Sequence, residues 1–273
     1  KLGSLLHPAR SFAGRLIAVE IAFPPWNSKA VAARVVTPAW AQARLPQRES
    51  DTHKNAVGRV LVVAGQRGMA GAAVLVVRAA LSAGAGLVRI CSAPENREIV
   101  QSAVPEAIYV DPGDPGALKE ALEQCDAVGL GPGLGTGALA QDLAATVVTG
   151  PLRPLVVDAD ALNLSSEGKL DLASLAPTRA ILATPHAGEM ARLLGTDTGT
   201  VQSDRIAALQ RAVEAHGTAL LLKGAPSLVG APGSEVLVDC QGSSDLAAAG
   251  MGDALTGVCA TLMAQGLDAR DSG

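Results

Sequence analysis

Residues 58–91 read GRVLVVAGQRGMAGAAVLVVRAALSAGAGLVRIC. Val60–Ala64 is an unbroken apolar run, which is the pattern of a strand buried on both faces. Gly65–Gly71 follows as a glycine-bearing loop, and Ala72–Ala83 then has helical length and few breakers. Gly84-Ala85-Gly86 ends that helix, and Leu87–Cys91 supplies the next apolar run. A strand, a crossing helix and a second buried strand predict a parallel pair, since parallel neighbours need a long crossover.

The same rhythm continues downstream. Ala127–Leu130 leads to Gly131-Pro132-Gly133-Leu134-Gly135, and Leu155–Val157 leads to Asp158-Ala159-Asp160. Ile181-Leu182 leads to Thr184-Pro185-His186, and Ala219–Leu222 leads to Lys223-Gly224. Short apolar strands alternating with helices predict an α/β fold, a central mainly parallel sheet with helices on both faces. Gly, Asp, His or Lys follows nearly every strand, at the sheet edge where open α/β folds bind ligands. The front of the chain differs. Leu16–Phe23 (LIAVEIAF) reads as one strand stopped by Pro24-Pro25. Residues 37–56 read as a polar lead-in with one short helix after Pro38.

Composition removes several classes of function. The 273 residues hold two Phe, two Trp and one Tyr, so base-stacking platforms are out. Subtracting 26 acidic from 22 basic residues gives −4, against nucleic acid as the main partner. No apolar run reaches the roughly 18 residues a membrane span requires. Cys91, Cys125, Cys240 and Cys259 form no CxxC pair and read as reduced, buried thiols of an intracellular, cytoplasmic protein. Lys1 opens the sequence and no signal peptide follows it.

Several clusters could carry chemistry. Gly250-Met251-Gly252-Asp253 precedes Ala254–Ala264, a stretch of helical length. Glycines before a helix leave N–H groups unobstructed, and the helix start carries partial positive charge, which together bind phosphate. Asp253 there is either a helix cap or a base toward a hydroxyl attacking a phosphoryl group. Lys223-Gly224 after a buried strand is either a phosphate contact or an ordinary solvated lysine. Asp158, Asp160 and Asn163 suit oxygen ligation of Mg²⁺ or hydroxyl recognition, and equally an Asx-turn with a helix cap. His186 and Glu189 lie in a loop opening a helix, where Thr184 and Glu189 could form a capping arrangement. Gly131–Gly135 lacks the GxGxxG register, and Gly65–Gly71 lacks GK[ST], so dinucleotide-binding dehydrogenases and P-loop NTPases are disfavoured.

As an ordered set these segments resemble the ADP/ATP-dependent NAD(P)H-hydrate dehydratases. The resemblance is carried by His53-Lys54, Gly65-x-x-Gly68-Met69-x-Gly71-Ala72-Ala73, Gly84-Ala85-Gly86-Leu87-Val88 and Gly131-Pro132-Gly133-Leu134-Gly135. It continues through Asp158-Ala159-Asp160-Ala161-Leu162-Asn163, Thr184-Pro185-His186-x-Gly188-Glu189-Met190, Lys223-Gly224 and Gly250-x-Gly252-Asp253, from about residue 34 to the end. It implies a ribokinase-like fold and repair of hydrated NADH or NADPH. A nucleotide, ADP or ATP with Mg²⁺, phosphorylates the ring hydroxyl, and phosphate is then eliminated. It implies Asp253 as the base, and Gly250 and Gly252 around the transferred phosphoryl group. It implies Lys223, Gly224, Ala225, Pro226 and Ser227 as nucleotide contacts. It implies Ala72, Gly131, Gly133, Asp160, Asn163 and His186, with Asp253, as contacts of the hydrated dinucleotide. Metal ligands stay unassigned, and a homo-oligomer, often a tetramer, is implied as the assembly.

The resemblance is incomplete. Ala248-Ala249-Gly250-Met251-Gly252-Asp253 stands where the family usually has Thr-Gly-Gly-Thr-Gly-Asp, and Ser243-Ser244-Asp245-Leu246 stands for Asn-Pro-Gly-Met. Gln66 replaces a usual Ser, Ala187 a usual Pro and Asn55 a usual Gly. Two rival readings follow, a ribokinase-like kinase of a hydroxymethyl vitamin precursor and a degenerate nucleotide-binding module without turnover. Residues 1–30 resemble the tail of the epimerase domain often fused upstream. Residues 31–273 then form the dehydratase domain, expected to lack its last helical segment.

Overall fold

The computed structural model describes all residues except 1, 7, 8, 18, 20, 21, 23–32, 48–50, 52–56 and 243–246. Its centre is a ten-stranded sheet. The strands are β1 (Ala33–Val35), β2 (Arg59–Val63), β3 (Leu87–Cys91), β4 (Ile108–Val110), β5 (Ala127–Leu130), β6 (Leu155–Val157), β7 (Ile181–Ala183), β8 (Ala219–Leu222), β9 (Ser227–Gly230) and β10 (Val236–Asp239). They lie in the order β1-β10-β9-β8-β7-β6-β5-β2-β3-β4, and every neighbouring pair is parallel except the two that contain β9.

The apolar run of β2 explains itself in this setting. Val60 and Val62 point into a core with Val76, Val77 and Ala260, while Leu61 and Val63 point into the opposite core with Leu118 and Leu143. A strand covered on both faces has no solvent side on which to place polar residues. The strand order reverses between β2 and its neighbour β5. From β2 the chain runs outward through β3 and β4, and from β5 it runs the other way through β6, β7 and β8. Such a switch leaves a crevice beyond the carboxyl ends of the two central strands. The loops that follow β2 and β5 are the glycine-bearing segments 64–69 and 131–137.

On one face the helices Ala70–Ser82 and Met251–Ala264 pack backbone to backbone. Gly257 makes this possible, because a Cβ there would lie 2.2 Å from Val76 O and 2.9 Å from Ala80 N. Thr261 Oγ1 adds a bond to Ala80 O at 3.2 Å, so small residues and a hydroxyl, rather than large rings, close the contact.

Six of the expected strands are present within a residue of their predicted ends. The helix expected at Ala72 begins at Ala70, and the one expected at Ala254 begins at Met251, so both glycine loops are shorter than predicted. The strand expected over Leu16–Phe23 is not found at the described residues of that run. The described residues Leu16, Ile17, Val19 and Ala22 lie in no strand, and Ala22 has a positive φ of 55°. An apolar run needs a neighbouring edge, and Leu16, Ile17 and Val19 stay exposed instead. The other residues of that run lie outside the described residues, as do Pro24-Pro25, His53-Lys54-Asn55 and Ser243–Leu246. The short helix after Pro38 is found as Pro38–Gln42, capped by Thr37 Oγ1. The four cysteines are free, with Cys240 half-buried where full burial was expected. Among the described residues no helix is long and apolar enough to cross a membrane.

Gly257→Ala should therefore lower stability by about 1–3 kcal/mol, the cost of overpacking a filled contact. Gly71→Ala, where a Cβ meets no heavy atom within 4 Å, serves as the control and should leave stability unchanged or raised. Urea midpoints of the two variants measure the difference, and equal midpoints would show that the helix contact tolerates a methyl group.

Candidate active site

The residues singled out by the sequence arrive at the crevice as one connected set. Gly65 N–H bonds Pro132 O at 2.9 Å, and the Gln66 N–H bonds Gly133 O, so the loops after β2 and β5 are stitched together. Ser92 Oγ and Asn96 Nδ2 hold Gly65 O from the far side, at 2.8 and 3.0 Å. Glycine is required at two points of this stitch. At Gly131 (φ +124°) a Cβ would lie 1.9 Å from Asp158 O, and at Gly133 (φ +56°) it would lie 2.9 Å from Ala72 Cβ. The Ala72 and Gly133 assigned to one ligand are therefore in contact with each other.

Asp160 fastens the other end of the loop. Its Oδ2 accepts Gly135 N–H at 2.7 Å, and its Oδ1 accepts Asn163 Nδ2 at 3.1 Å. Asn163 Oδ1 in turn accepts Arg192 Nε at 3.1 Å. Both side chains are thus engaged in shaping the loop. Between Asp158 and Asp160 the chain turns through Ala159 at φ 49°, a left-handed conformation unusual for a residue with a Cβ.

The strongest interaction lies one residue earlier. Asp158 is 1% exposed, and its Oδ1 accepts Lys223 Nζ at 2.7 Å while its Oδ2 accepts Thr256 Oγ1 at 2.9 Å. Lys223 Nζ also faces Glu189 Oε2 at 3.8 Å. A Cβ on Gly252 would lie 3.3 Å from the same Nζ, so the lysine reaches the start of the Met251–Ala264 helix. The carboxyl ends of β6 and β8 and the glycine turn before that helix thus meet at one ammonium group.

His186 caps the helix Ala187–Leu193. Its Nδ1 accepts the N–H groups of Gly188 and Glu189, and Glu189 Oε2 accepts His186 N–H at 2.8 Å. The residue expected to begin this cap was Thr184. The structure places Thr184 in the core and gives the role to His186, whose ring nitrogen reaches the same two amides. His186 Nε2 lies 3.3 Å from Glu189 Oε1.

Asp253 separates the two readings left open by its sequence. The N-cap of its helix is Gly250, left-handed at φ 87°, and no side chain caps the helix. Asp253 is half-buried and accepts no hydrogen bond among the described residues. It does not cap. Burial pushes its carboxyl above the usual carboxylate range, the Asp158 charge adds to the rise, Lys223 opposes it and Asp160 contributes a further push. A carboxylate with raised proton affinity beside a glycine-lined helix start has the character of a general base.

Among the described residues no three His, Cys, Asp or Glu side chains form a metal cage. Asp158 and Glu189 both face Lys223 Nζ, which fills the point between them, and both Asp158 oxygens are already engaged, so this pair offers no open carboxylate for Mg²⁺. Glu189 and Thr256 were not assigned from sequence. Thr256 lies one helical turn beyond Gly252, the same face by the i, i+4 rule.

The profile of the NAD(P)H-hydrate dehydratase family matches residues 60–273. A bifunctional NAD(P)H-hydrate repair enzyme of Moorella thermoacetica is 38% identical over 285 residues, covering 98% of this chain and 52% of its own length. An ADP-dependent (S)-NAD(P)H-hydrate dehydratase of Neisseria meningitidis is 38% identical over 225 residues, covering 81% of this chain and 74% of its own. The crystal structure of an ADP/ATP-dependent NAD(P)H-hydrate dehydratase from Bacillus subtilis, co-crystallised with ATP and Mg²⁺, superposes with a TM-score of 0.73 at 27% identity, covering 86% of this chain and 83% of that one. The fold is ribokinase-like. The chain spans about half the length of the bifunctional relatives it matches.

The raised Asp253 carboxyl fixes the sign of a stability test. A group whose folded-state pKa lies above its unfolded value costs stability once pH exceeds the unfolded value, and the cost grows until the folded group is ionised. Asp253→Asn should therefore unfold at a higher temperature than the parent at pH 7. The gain should vanish below about pH 4, where the unfolded carboxyl is also protonated. Thermal melts across that range decide it, and a gain independent of pH would remove the electrostatic explanation.

Proposed function

This chain belongs to the NAD(P)H-hydrate dehydratase family, and on that premise we propose that it restores NADH or NADPH from the hydrated cofactor at the expense of a nucleotide. The observation that carries the reading is the placement of Asp253. It is an uncapped, half-buried carboxylate with a raised pKa at the glycine turn of Gly250 and Gly252, beside Lys223.

The residues divide the reaction between them. Asp253 takes the proton of the ring hydroxyl as its oxygen attacks the terminal phosphoryl group of the nucleotide. With ADP, the phosphoryl leaves AMP. The helix start at Met251 and the Gly252 backbone face the charge that develops on the phosphoryl oxygens. Lys223 to Ser227 hold the nucleotide, with Lys223 acting as a point charge on its phosphates. Phosphate then leaves the ring carbon with the electrons of the C–O bond, the adjacent ring carbon gives up a proton to solvent, and the electrons of that C–H bond form the double bond of the reduced nicotinamide. The sum is hydrated NAD(P)H and ADP giving NAD(P)H, AMP and phosphate. Mg²⁺ would neutralise charge on the nucleotide phosphates, with its protein ligands unassigned.

The hydrated dinucleotide lies along the crevice where Ala72 meets Gly133, with Gly131, Asp160, Asn163 and His186 at its rim. Asp160 and Asn163 shape the wall, since both are engaged with the loop itself. We also read residues 1–30 as the tail of an upstream epimerase domain. The alignment with the two-activity relative from Moorella thermoacetica, which reaches across 98% of this chain, supports this.

Incubation of the protein with hydrated NADH, Mg²⁺ and ADP should restore absorbance at the reduced-nicotinamide band. A stable phosphorylated product without that recovery would make it a kinase instead. Asp253→Asn should lower turnover at least about 100-fold while ADP binding by calorimetry persists. Full activity in that variant would take the base role from Asp253.

A further inference from the structure

The loop after β8 contains a second cation that the proposed reaction leaves unused. Arg205 opens the helix Arg205–His216, and its side chain reaches under Lys223–Pro226. Its Nη2 donates to Leu222 O, Lys223 O and Pro226 O at 3.3, 3.3 and 3.1 Å, and its Nη1 donates to Gln202 Oε1 at 3.1 Å. The guanidinium lies against Gly224, where a Cβ would fall 2.6 Å from Nη2 and 2.9 Å from Cζ. No carboxylate among the described residues pairs with it, and Nε is buried without a partner.

The hydrogen-bond accounting of the loop is lopsided. Arg205 takes the carbonyls of Leu222, Lys223 and Pro226, and Ser227 Oγ donates to Gly224 O at 3.0 Å. The N–H groups of Gly224 and Ala225 bond no acceptor among the described residues. Backbone donors and acceptors normally find partners in equal measure. Here the carbonyls of Leu222, Lys223, Gly224 and Pro226 are engaged, and the Gly224 and Ala225 donors remain. Successive free amides on a turn form an anion-binding concavity.

Resting on the nucleotide assignment above, we propose that Arg205 is a positioning residue that makes this loop selective for the phosphates of a nucleotide. It gathers the loop's carbonyls to itself, and so leaves the Gly224 and Ala225 amides and the Lys223 ammonium to the ligand. An arginine suits this task better than a lysine, because one planar group spans several carbonyls at once. The charge of the guanidinium, unmatched by any acid, adds to the attraction for an anion without occupying the ligand's place.

The test compares ADP, AMP and adenosine on the parent, Arg205→Gln and Arg205→Lys by calorimetry, with kcat and KM measured alongside. Arg205→Gln should weaken ADP binding about 10–100-fold, the loss of a charged donor. Adenosine binding should change less than about twofold on the same scale. Arg205→Lys should fall between parent and Gln, and the nucleotide KM should rise with kcat largely kept. Equal losses for ADP and adenosine, or none, would overturn the proposal. Should both variants fail to fold, the parent still answers. Its Gly224 and Ala225 amide resonances should shift with ADP and stay in place with adenosine, and resonances indifferent to ADP overturn the assignment. A parent that binds no ADP sinks the nucleotide reading together with this one. A parent that turns over ADP without these effects sinks this one alone.

Discussion

The carboxylate of Asp158 holds the molecule's working edge together. It is buried just beyond the end of β6, and Lys223 from the end of β8 and Thr256 from the Met251–Ala264 helix both donate to it. Isolating such a charge is expensive, and removing one partner of a buried pair typically costs about 3–5 kcal/mol. The three elements are therefore tied at one point, and everything proposed for catalysis is placed relative to that point. Gly252 approaches the Lys223 ammonium, Glu189 stands on its other side, and Asp253 takes its raised proton affinity partly from the Asp158 charge.

A second constraint is the closeness of backbones. Gly131 lies against Asp158 O, Gly133 against Ala72, and Gly257 against the Ala70–Ser82 helix. None of these approaches leaves room for a Cβ. Large rings have no place in such contacts, and the sequence holds five in all. The scarcity of aromatics is compatible with contacts of this kind. The dinucleotide proposed for the crevice would meet amides, a few charges and aliphatic walls in place of stacking platforms.

How much of this could be read beforehand follows from the range of the forces involved. β2, β3, β5, β6 and β8 are apolar runs whose hydrophobicity is local, and they were legible with their boundaries. β4 is a three-residue edge strand, and β9 and β10 form a hairpin around Pro232-Gly233, so their pairing depends on neighbours that no short run announces. Leu16–Phe23 shows the converse, since apolar residues alone do not make a strand where no edge accepts them. Asp253, Lys223, Gly131 and His186, which motif spacing singles out, lie in loops or at a helix start along one edge of the sheet, and their roles there belong to the proposal. Glu189 and Thr256 acquire their roles only through Lys223 and Asp158, and Arg205 through carbonyls about twenty positions away. Their partners are remote in sequence, so the capping pattern of Glu189 and the one-turn spacing of Thr256 from Gly252 mark the positions without revealing these contacts.

The balance of charge at the crevice carries the last step. Asp158, Asp160, Glu189 and Asp253 bring four carboxylates toward the crevice, and Lys223 is the only lysine or arginine that pairs with any of these four among the described residues. The nucleotide proposed here would add further negative charge. Lys223 holds the point between Asp158 and Glu189, and Arg205 places positive charge beneath residues 223–226 with no carboxylate paired to it among the described residues. Asp253 owes its raised proton affinity first to burial and then to the Asp158 charge, with Lys223 opposing both. Removing the Asp158 charge would therefore weaken the base proposed at Asp253 only in part, because the burial would remain.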